Sequence, residues 1–105
     1  MNISKLLVKH HNLKLLETFA DDVLIGYKTF EVRKNDRGFQ KGDTVNFTCV
    51  DDKGTQLQHT INEKIYEITY VLNGWGIENG YVVFAEPNCM IVDCIVHQRL
   101  QLHII

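Results

Sequence analysis

Apolar and polar residues alternate along most of this chain, as they do in β-strands that bury one face. The alternation predicts strands in the latter half of 8–16 and in 28–34, 44–50, about 59–72 and 81–85. The tail alternates again from 89 to 105, and its β-branched content favours a strand over a helix. We therefore expect about six strands, the last of them in an additional C-terminal segment, 86–105.

One segment has helical spacing instead. In 17–26 (ETFADDVLIG), Phe19 and Val23 stand four residues apart on one face, and Gly26 suits the position just past a helix end. A single short helix among strands, without a repeating strand–helix–strand order, indicates a mainly antiparallel barrel or sandwich. The expected class is α+β, mainly β, with the helix packed across the strands.

Length and composition are those of a single domain, residues 1–105. The sequence shows neither a signal peptide nor an apolar run of membrane-spanning length, so we expect a soluble, cytoplasmic protein without a membrane partner. Three cysteines without a CxxC pair give no disulfide framework and fit reduced core residues. The formal net charge of -2 argues against a protein that coats nucleic acid indiscriminately.

Positive charge is nevertheless concentrated in one stretch, KTFEVRKNDRGFQKGD, which holds five of the eleven Lys and Arg residues. Its strand alternates so that Phe30 and Val32 share one face, and Glu31 and Arg33 share the other. One explanation is a solvated strand face with a weak ion pair, worth at most about 1 kcal/mol. The other is an anion site, since the turn can offer backbone N–H groups and an Arg side chain can grip a phosphate. Glu31 would then accept a hydrogen bond from an exocyclic amine.

The histidines and the tryptophan give weaker evidence about function than the basic stretch does. The five histidines have no metal-binding spacing, and we expect neither a metal nor an organic cofactor. His11 either donates to a carbonyl near the helix start or lines a cleft as a proton donor. Trp75 lies in the glycine-rich loop NGWGIENG and either caps one end of the barrel or stacks on a base.

Three motifs carry a family resemblance. HNLK at 11–14, GYKTFEVRKNDRGFQKGD at 26–43 and GYVVF at 80–84 resemble a bacterial and phage branch of the ASCH domains, within the PUA-like superfamily. YVLNG at 70–74 also matches, and the resemblance covers about 8–85. It implies a small β-barrel with a helix across it and a cleft beside that helix. It also implies RNA, a nucleotide or a modified nucleoside as the ligand.

Carried over by position, the resemblance and the charge pattern together select six ligand-binding candidates: Lys28, Glu31, Arg33, Lys34, Asn35 and Arg37. Arg33, Lys34 and Arg37 are expected to contact phosphate. Glu31 and Asn35 are expected to contact a base or sugar edge. Asp36 is a further cleft candidate, although it and Asp43 also fit purely structural roles in turns.

Two alternatives stay open. Some small ASCH proteins are amidohydrolases that act on acylated cytidines with a lysine, a threonine and a glutamate. Here Glu31 occupies the position of that threonine, which speaks against an enzyme, and Lys28 and Glu31 would be its catalytic groups. The other alternative is a protein-interaction module that binds through the apolar tail, which could also pair at a sheet edge and form a dimer.

Overall fold

The computed structural model describes residues 7–87 and Cys89 of the chain. Six strands and one α-helix follow one another there. They are β1 (His10–Leu16), α1 (Glu17–Ile25), β2 (Phe30–Lys34), β3 (Thr44–Val50), β4 (Ile65–Glu67), β5 (Tyr70–Leu72) and β6 (Tyr81–Ala85). A 3₁₀ helix, Thr60–Glu63, precedes β4. The α+β class with a majority of strands is therefore confirmed, and the expected C-terminal strand lies outside the described residues.

The strands form two sheets of three. One has the order β1-β3-β4 and the other the order β2-β6-β5. Three of the four ladders are antiparallel, as expected. β1 and β3 are parallel, since α1 and β2 lie between them in the chain and form the crossover. No closed barrel forms among the described residues, because no backbone ladder joins the two sheets.

The predicted single strand over 59–72 is wrong. The chain forms a 3₁₀ helix first and then changes sheets between β4 and β5. At the change, the Ile68 N–H donates to the Asp43 carbonyl, and the Thr69 N–H donates to the Ala85 carbonyl. This switch ends the expected common face, since Tyr66 is buried while Tyr70 is exposed.

The core lies between the sheets and α1. It is built from alternating residues of β1, β3 and β6 together with one face of the helix: Leu13, Leu15, Val45, Phe47, Cys49, Val82, Phe84, Ala20 and Val23. The helix ends where expected, because Gly26 adopts a left-handed φ of 88° and donates its N–H to the Val23 carbonyl. In the part of the chain that the structure describes, no helix is both long and apolar enough to cross a membrane.

The cysteines fit the expectation only in part. Cys49 is a buried free thiol, and burial, together with the charges of Glu17 and Asp21, raises its pKa. Cys89 is buried as well but is disulfide-bonded, so the expectation of reduced core cysteines is wrong for this residue.

Candidate functional site: a charged cleft beside β2

A cleft of about 390 Å³ lies between β2 and the junction of β1 with α1. We call it the β2 cleft. Its wall residues come from these three elements and from the turn before β2: Lys14, Leu15, Leu16, Phe19, Lys28, Phe30, Glu31, Val32 and Arg33. The volume falls within the range of small-molecule sites in proteins. The cleft therefore combines apolar side chains from β1, α1 and β2 with charged ones from β1, β2 and the turn before β2.

Strand β2 points its charged face inward. Glu31 lies opposite Phe84, and Arg33 lies opposite Val82, both of which are core residues. Glu31 is consequently only 3% exposed, whereas Phe30 and Val32 on the other face are 47% and 56% exposed. The explanation of Glu31 and Arg33 as a solvated strand face is wrong. A buried carboxylate is costly without partners, so the neighbouring cations must account for this arrangement.

Glu31 holds two cations in place. The Lys28 Nζ donates to Glu31 Oε2 at 2.5 Å, and Arg33 donates to Oε1 from Nη2 at 2.8 Å and from Nε at 3.1 Å. Lys28 also donates to the Phe30 carbonyl at 2.6 Å. The Arg33 Nη2 reaches the Lys14 carbonyl at 2.8 Å, which ties β2 to β1 across the cleft. Each Glu31 oxygen therefore accepts from a cation, and the carboxylate holds Lys28 and Arg33 in place.

Two aromatic rings flank the lysine. The Lys28 Nζ lies 5.3 Å from the centre of the Phe19 ring and 5.1 Å from that of Phe30. Both distances are typical of cation–π contacts. Each ring is partly exposed at the cleft. The cleft thus offers flat apolar surfaces next to fixed positive charge.

Glu86 is a buried acid that sequence analysis missed. Its backbone N–H donates to the Thr29 carbonyl, so it continues the β2–β6 ladder on the same face as Glu31 and Phe84. The side chain is 1% exposed, and within the described residues neither of its oxygens has a hydrogen-bond partner. The sequence did offer a signal for Glu86. Val82, Phe84 and Glu86 follow one another at intervals of two residues, which places the Glu86 carboxyl on the core face of the strand.

The protonation of Glu86 follows from its surroundings. Burial, and next the charge of Glu31, raise the pKa of Glu86 from 4.5 to about 8, although Lys28 and Arg33 act in the opposite direction. At neutral pH Glu86 is therefore mainly an uncharged acid beside the charged cluster. Burial also raises the pKa of Tyr66 to about 12, and the charge of Glu86 contributes to that shift.

The structure does not gather all six ligand-binding candidates. Lys28, Glu31 and Arg33 meet in the β2 cleft. Lys34 is exposed and lies on the face of β2 shared by Phe30 and Val32. The Asn35 Oδ1 accepts from the Phe39 N–H at 3.0 Å, and the Arg37 Nη1 donates to the Asn12 carbonyl at 3.0 Å. The last two therefore order the loop after β2.

His11 and Asp43 form a buried pair away from the cleft. The His11 Nε2 lies 2.8 Å from Asp43 Oδ2, and the His11 ring packs on Phe39. The backbone N–H groups of Lys9 and Gln40 also donate to the Asp43 carboxylate. Burial by itself would raise the pKa of Asp43, but these hydrogen bonds and the charge of His11 lower it overall. The partner of His11 is a carboxylate rather than the expected carbonyl, and His11 is not among the residues that line the β2 cleft. Asp36 is exposed and lies 3.9 Å from Arg37.

Trp75 does not cap a barrel end, because it is 90% exposed. Among the described residues there is also no group of three His, Cys, Asp or Glu side chains that could hold a metal ion.

A family model described as "Domain of unknown function (DUF3850)" matches residues 10–85. The match runs from the first residue of β1 to the last of β6 and contains every residue that lines the β2 cleft. It ends one residue before Glu86. No curated protein matches the chain.

Proposed function

The chain belongs to the DUF3850 family, and we propose that it binds a nucleotide or single-stranded RNA, with one base and its phosphate in the β2 cleft. One observation carries this proposal: a buried carboxylate, Glu31, fixes Lys28 and Arg33 at a cleft that is also lined by Phe19 and Phe30. Fixed cations beside flat aromatic rings suit a ligand that combines an anion with a planar ring.

The charge balance of the cleft favours an anion. Lys14, Lys28 and Arg33 line it, and Glu31 is the acidic residue among its lining. Glu86 adds little negative charge at neutral pH, since its pKa is raised to about 8. A surplus of positive charge in a partly enclosed site attracts phosphate more strongly than the protein's net charge of -2 suggests.

Hydrogen-bonding capacity remains on both cations. Among the described contacts, Arg33 uses Nε and Nη2, so the two N–H bonds of Nη1 can reach a ligand. Lys28 directs its ammonium group to two acceptors and has three N–H bonds. Arg33 and Lys28 are therefore the proposed phosphate donors. Glu31 is a positioning residue, which differs from the base contact expected of it from sequence.

The aromatic rings supply the second half of the site. Phe19 and Phe30 come from α1 and β2 and are partly exposed next to the cations. Stacking of a base on an aromatic side chain contributes about 1–3 kcal/mol and tolerates any base. Binding is therefore expected to depend weakly on sequence. It should also depend only modestly on salt, because few phosphates are contacted.

The decisive experiment compares two neighbouring residues of β2. Fluorescence anisotropy with short labelled RNA and DNA oligonucleotides is measured for the wild type, Arg33→Ala and Lys34→Ala, with circular dichroism as a check of folding. Lys34 is the matched control, since it is the next cation of the same strand, is exposed and is not among the residues that line the cleft. We expect Arg33→Ala to weaken binding about tenfold or more, as loss of a charge-assisted contact implies, and Lys34→Ala to have little effect. A folded wild type that binds neither polymer would overturn the proposal. Equal losses of affinity in Arg33→Ala and Lys34→Ala would show that the oligonucleotide binds outside the cleft.

The amidohydrolase alternative has less support from the same geometry. Lys28 and Glu31 are paired, and Glu86 is a neutral acid beside them. However, none of the residues lining the cleft is Ser, Thr or Cys, so no hydroxyl or thiol there is available as a nucleophile. Turnover of an acylated cytidine by the wild type, lost in Lys28→Ala, would favour the enzyme over the binding protein.

A further inference from the structure

The loop between β5 and β6, residues 73–80, combines two features that disfavour a tryptophan at its tip. We call it the Trp75 loop. Trp75 is 90% exposed, which leaves a large apolar ring in water. Its φ is 54°, and it is the one residue other than glycine with a positive φ among the described residues. Side chains larger than those of Asn and Asp are uncommon in this conformation.

The local turn explains the backbone conformation. The Ile77 N–H donates to the Gly74 carbonyl at 2.9 Å, which closes a four-residue turn around Trp75 and Gly76. The φ values of these two central residues, 54° and 89°, are those of a type I′ turn. Asn, Asp and Gly dominate the first central position of such turns. Trp75 is thus unfavourable both for the turn and for solvation, which points to a role in binding.

The Trp75 loop also lines a recess of about 250 Å³ through Asn73, Gly74 and residues 77–80, and Trp75 itself is not among the lining residues. Three of its lining residues carry side-chain amides, Asn35, Asn73 and Asn79; the one charged lining residue is Glu78, and no Lys or Arg lines it. Amides offer both donors and acceptors, which match the polar edges of bases. Without a cation, the recess suits a base better than a phosphate.

Strand β2 connects this recess to the β2 cleft. Arg33 lines the cleft and Asn35, the residue directly after β2, lines the recess, so their Cα atoms are at most about 7 Å apart. The Asn35 N–H donates to the Gly80 carbonyl at 2.9 Å, which fixes the base of the Trp75 loop against the end of β2. The aromatic ring therefore stands on an anchored loop.

We propose that Trp75 and the adjacent amide-lined recess form a second base-binding site, so that the ligand is an oligonucleotide that continues from the β2 cleft to the Trp75 loop. This inference rests on the proposed function, because the β2 cleft holds the first base and its phosphate. Trp75 stacks on a base further along the nucleic-acid strand, and the side-chain amides of Asn73 and Asn79 contact a base edge.

Trp75 is the single tryptophan of the chain, so its fluorescence reports on this loop directly. The wild type, Trp75→Asn and Trp75→Phe are tested with an adenosine mononucleotide and an RNA of about six adenosines, a length within the site sizes of small single-strand binders. Competition against a labelled oligonucleotide gives the affinities, and quenching of the wild-type fluorescence gives loop occupancy. Trp75→Asn is chosen because asparagine favours the turn, and urea denaturation verifies that the variant is at least as stable as the wild type.

We expect the oligonucleotide, but not the mononucleotide, to quench Trp75. Trp75→Asn should weaken oligonucleotide binding about tenfold and leave mononucleotide binding unchanged, and Trp75→Phe should lose less because it keeps a ring. Unchanged oligonucleotide binding by Trp75→Asn would overturn the second site and leave the β2 cleft intact. Failure of the wild type to bind either ligand would overturn the proposed function and this inference together.

Discussion

Glu86 lies diagonally across the β2–β6 ladder from Glu31, and the two carboxyl groups differ in charge. Glu31 is paired with Lys28 and Arg33, whereas neither oxygen of Glu86 has a hydrogen-bond partner among the described residues. Burial and the Glu31 charge raise the pKa of Glu86 to about 8. The two cations thus stabilise one carboxylate, and the second acid remains neutral at pH 7.

Replacing Glu86 by Gln should change how stability depends on pH. Between pH 4.5 and about 8 the native state keeps the Glu86 proton and the unfolded state has lost it, so the free energy of unfolding falls as pH rises. The fall amounts to about 1 kcal/mol per pH unit in this window. Gln does not titrate, so Glu86→Gln should resemble the wild type near pH 5 and be more stable by several kcal/mol near pH 8.

Urea denaturation at a series of pH values measures this difference. Glu67→Gln, which removes an exposed carboxyl from β4, is the control and should follow the wild type. Parallel curves for the wild type and Glu86→Gln would show that Glu86 is charged in the native state at neutral pH.

Ligand affinity should decline as the pH rises through the native pKa of Glu86, about 8. Once Glu86 ionises, its negative charge acts against Lys28 and Arg33, which also influence its pKa, and Tyr66 stays uncharged because its pKa is about 12. A charge roughly 10 Å from a phosphate changes binding by about 1 kcal/mol. The affinity for an adenosine oligonucleotide should therefore fall about fivefold from pH 7 to 9 in the wild type. Anisotropy titrations should show a smaller fall in Glu86→Gln, and equal falls would exclude Glu86 as the cause.

How far local patterns predict the fold depends on whether a segment stays in one sheet. The helix 17–25 and strands β1, β3 and β6 were predicted because each keeps a single periodicity throughout. The segment 59–72 was not, since it alternates in sequence across the point where the chain changes sheets. That change is fixed by backbone hydrogen bonds to Asp43 and Ala85, which are distant in sequence.

The candidate site was predicted in part for a related reason. The concentration of charge identified Lys28, Glu31 and Arg33, which the structure brings together. Hydropathy alone assigns a glutamate to the solvent side, so it gave no reason to expect Glu31 inside or Glu86 beside it. The alternation with Val82 and Phe84 places Glu86 on the core face, and the register of β2 against β6 shows that Glu31 follows the same face. Lys34 carries the same charge as Arg33, but the alternation of the strand places Lys34 on the exposed face of β2 and Arg33 on the core face.

Glu31→Gln should affect stability and ligand binding in opposite directions. The substitution leaves Lys28 and Arg33 near each other without a counter-charge, and about 2 kcal/mol of stability should be lost, because hydrogen bonds to charged groups contribute about that amount. The released cations should bind an oligonucleotide more tightly at low salt. Urea denaturation and anisotropy test both effects on one protein sample. Weaker binding in a folded Glu31→Gln protein would instead indicate that fixing Lys28 and Arg33 in place matters more for binding than removing the negative charge.

Asp43→Asn should destabilise the fold far more than the matched change Asp36→Asn. Asp43 is buried and accepts from His11, Lys9 and Gln40, and an Asn amide would turn a donor toward one of these donors. Breaking such a buried pair costs about 3 kcal/mol or more. Asp36 has a side chain that is 62% exposed and a partner at 3.9 Å, so its loss should have little effect.

The Asp43 carboxylate and the Glu86 carboxyl change the free energy of unfolding with pH in opposite directions. Because the pKa of Asp43 is lowered from 3.8 in the native state, its stabilising effect is present above that value and is lost as the pH falls further. Urea denaturation from pH 7 down to pH 3 should show the wild type and Asp43→Asn converging at the acidic end. A constant difference at every pH would mean that packing of the side chain, and not its charge, accounts for the loss.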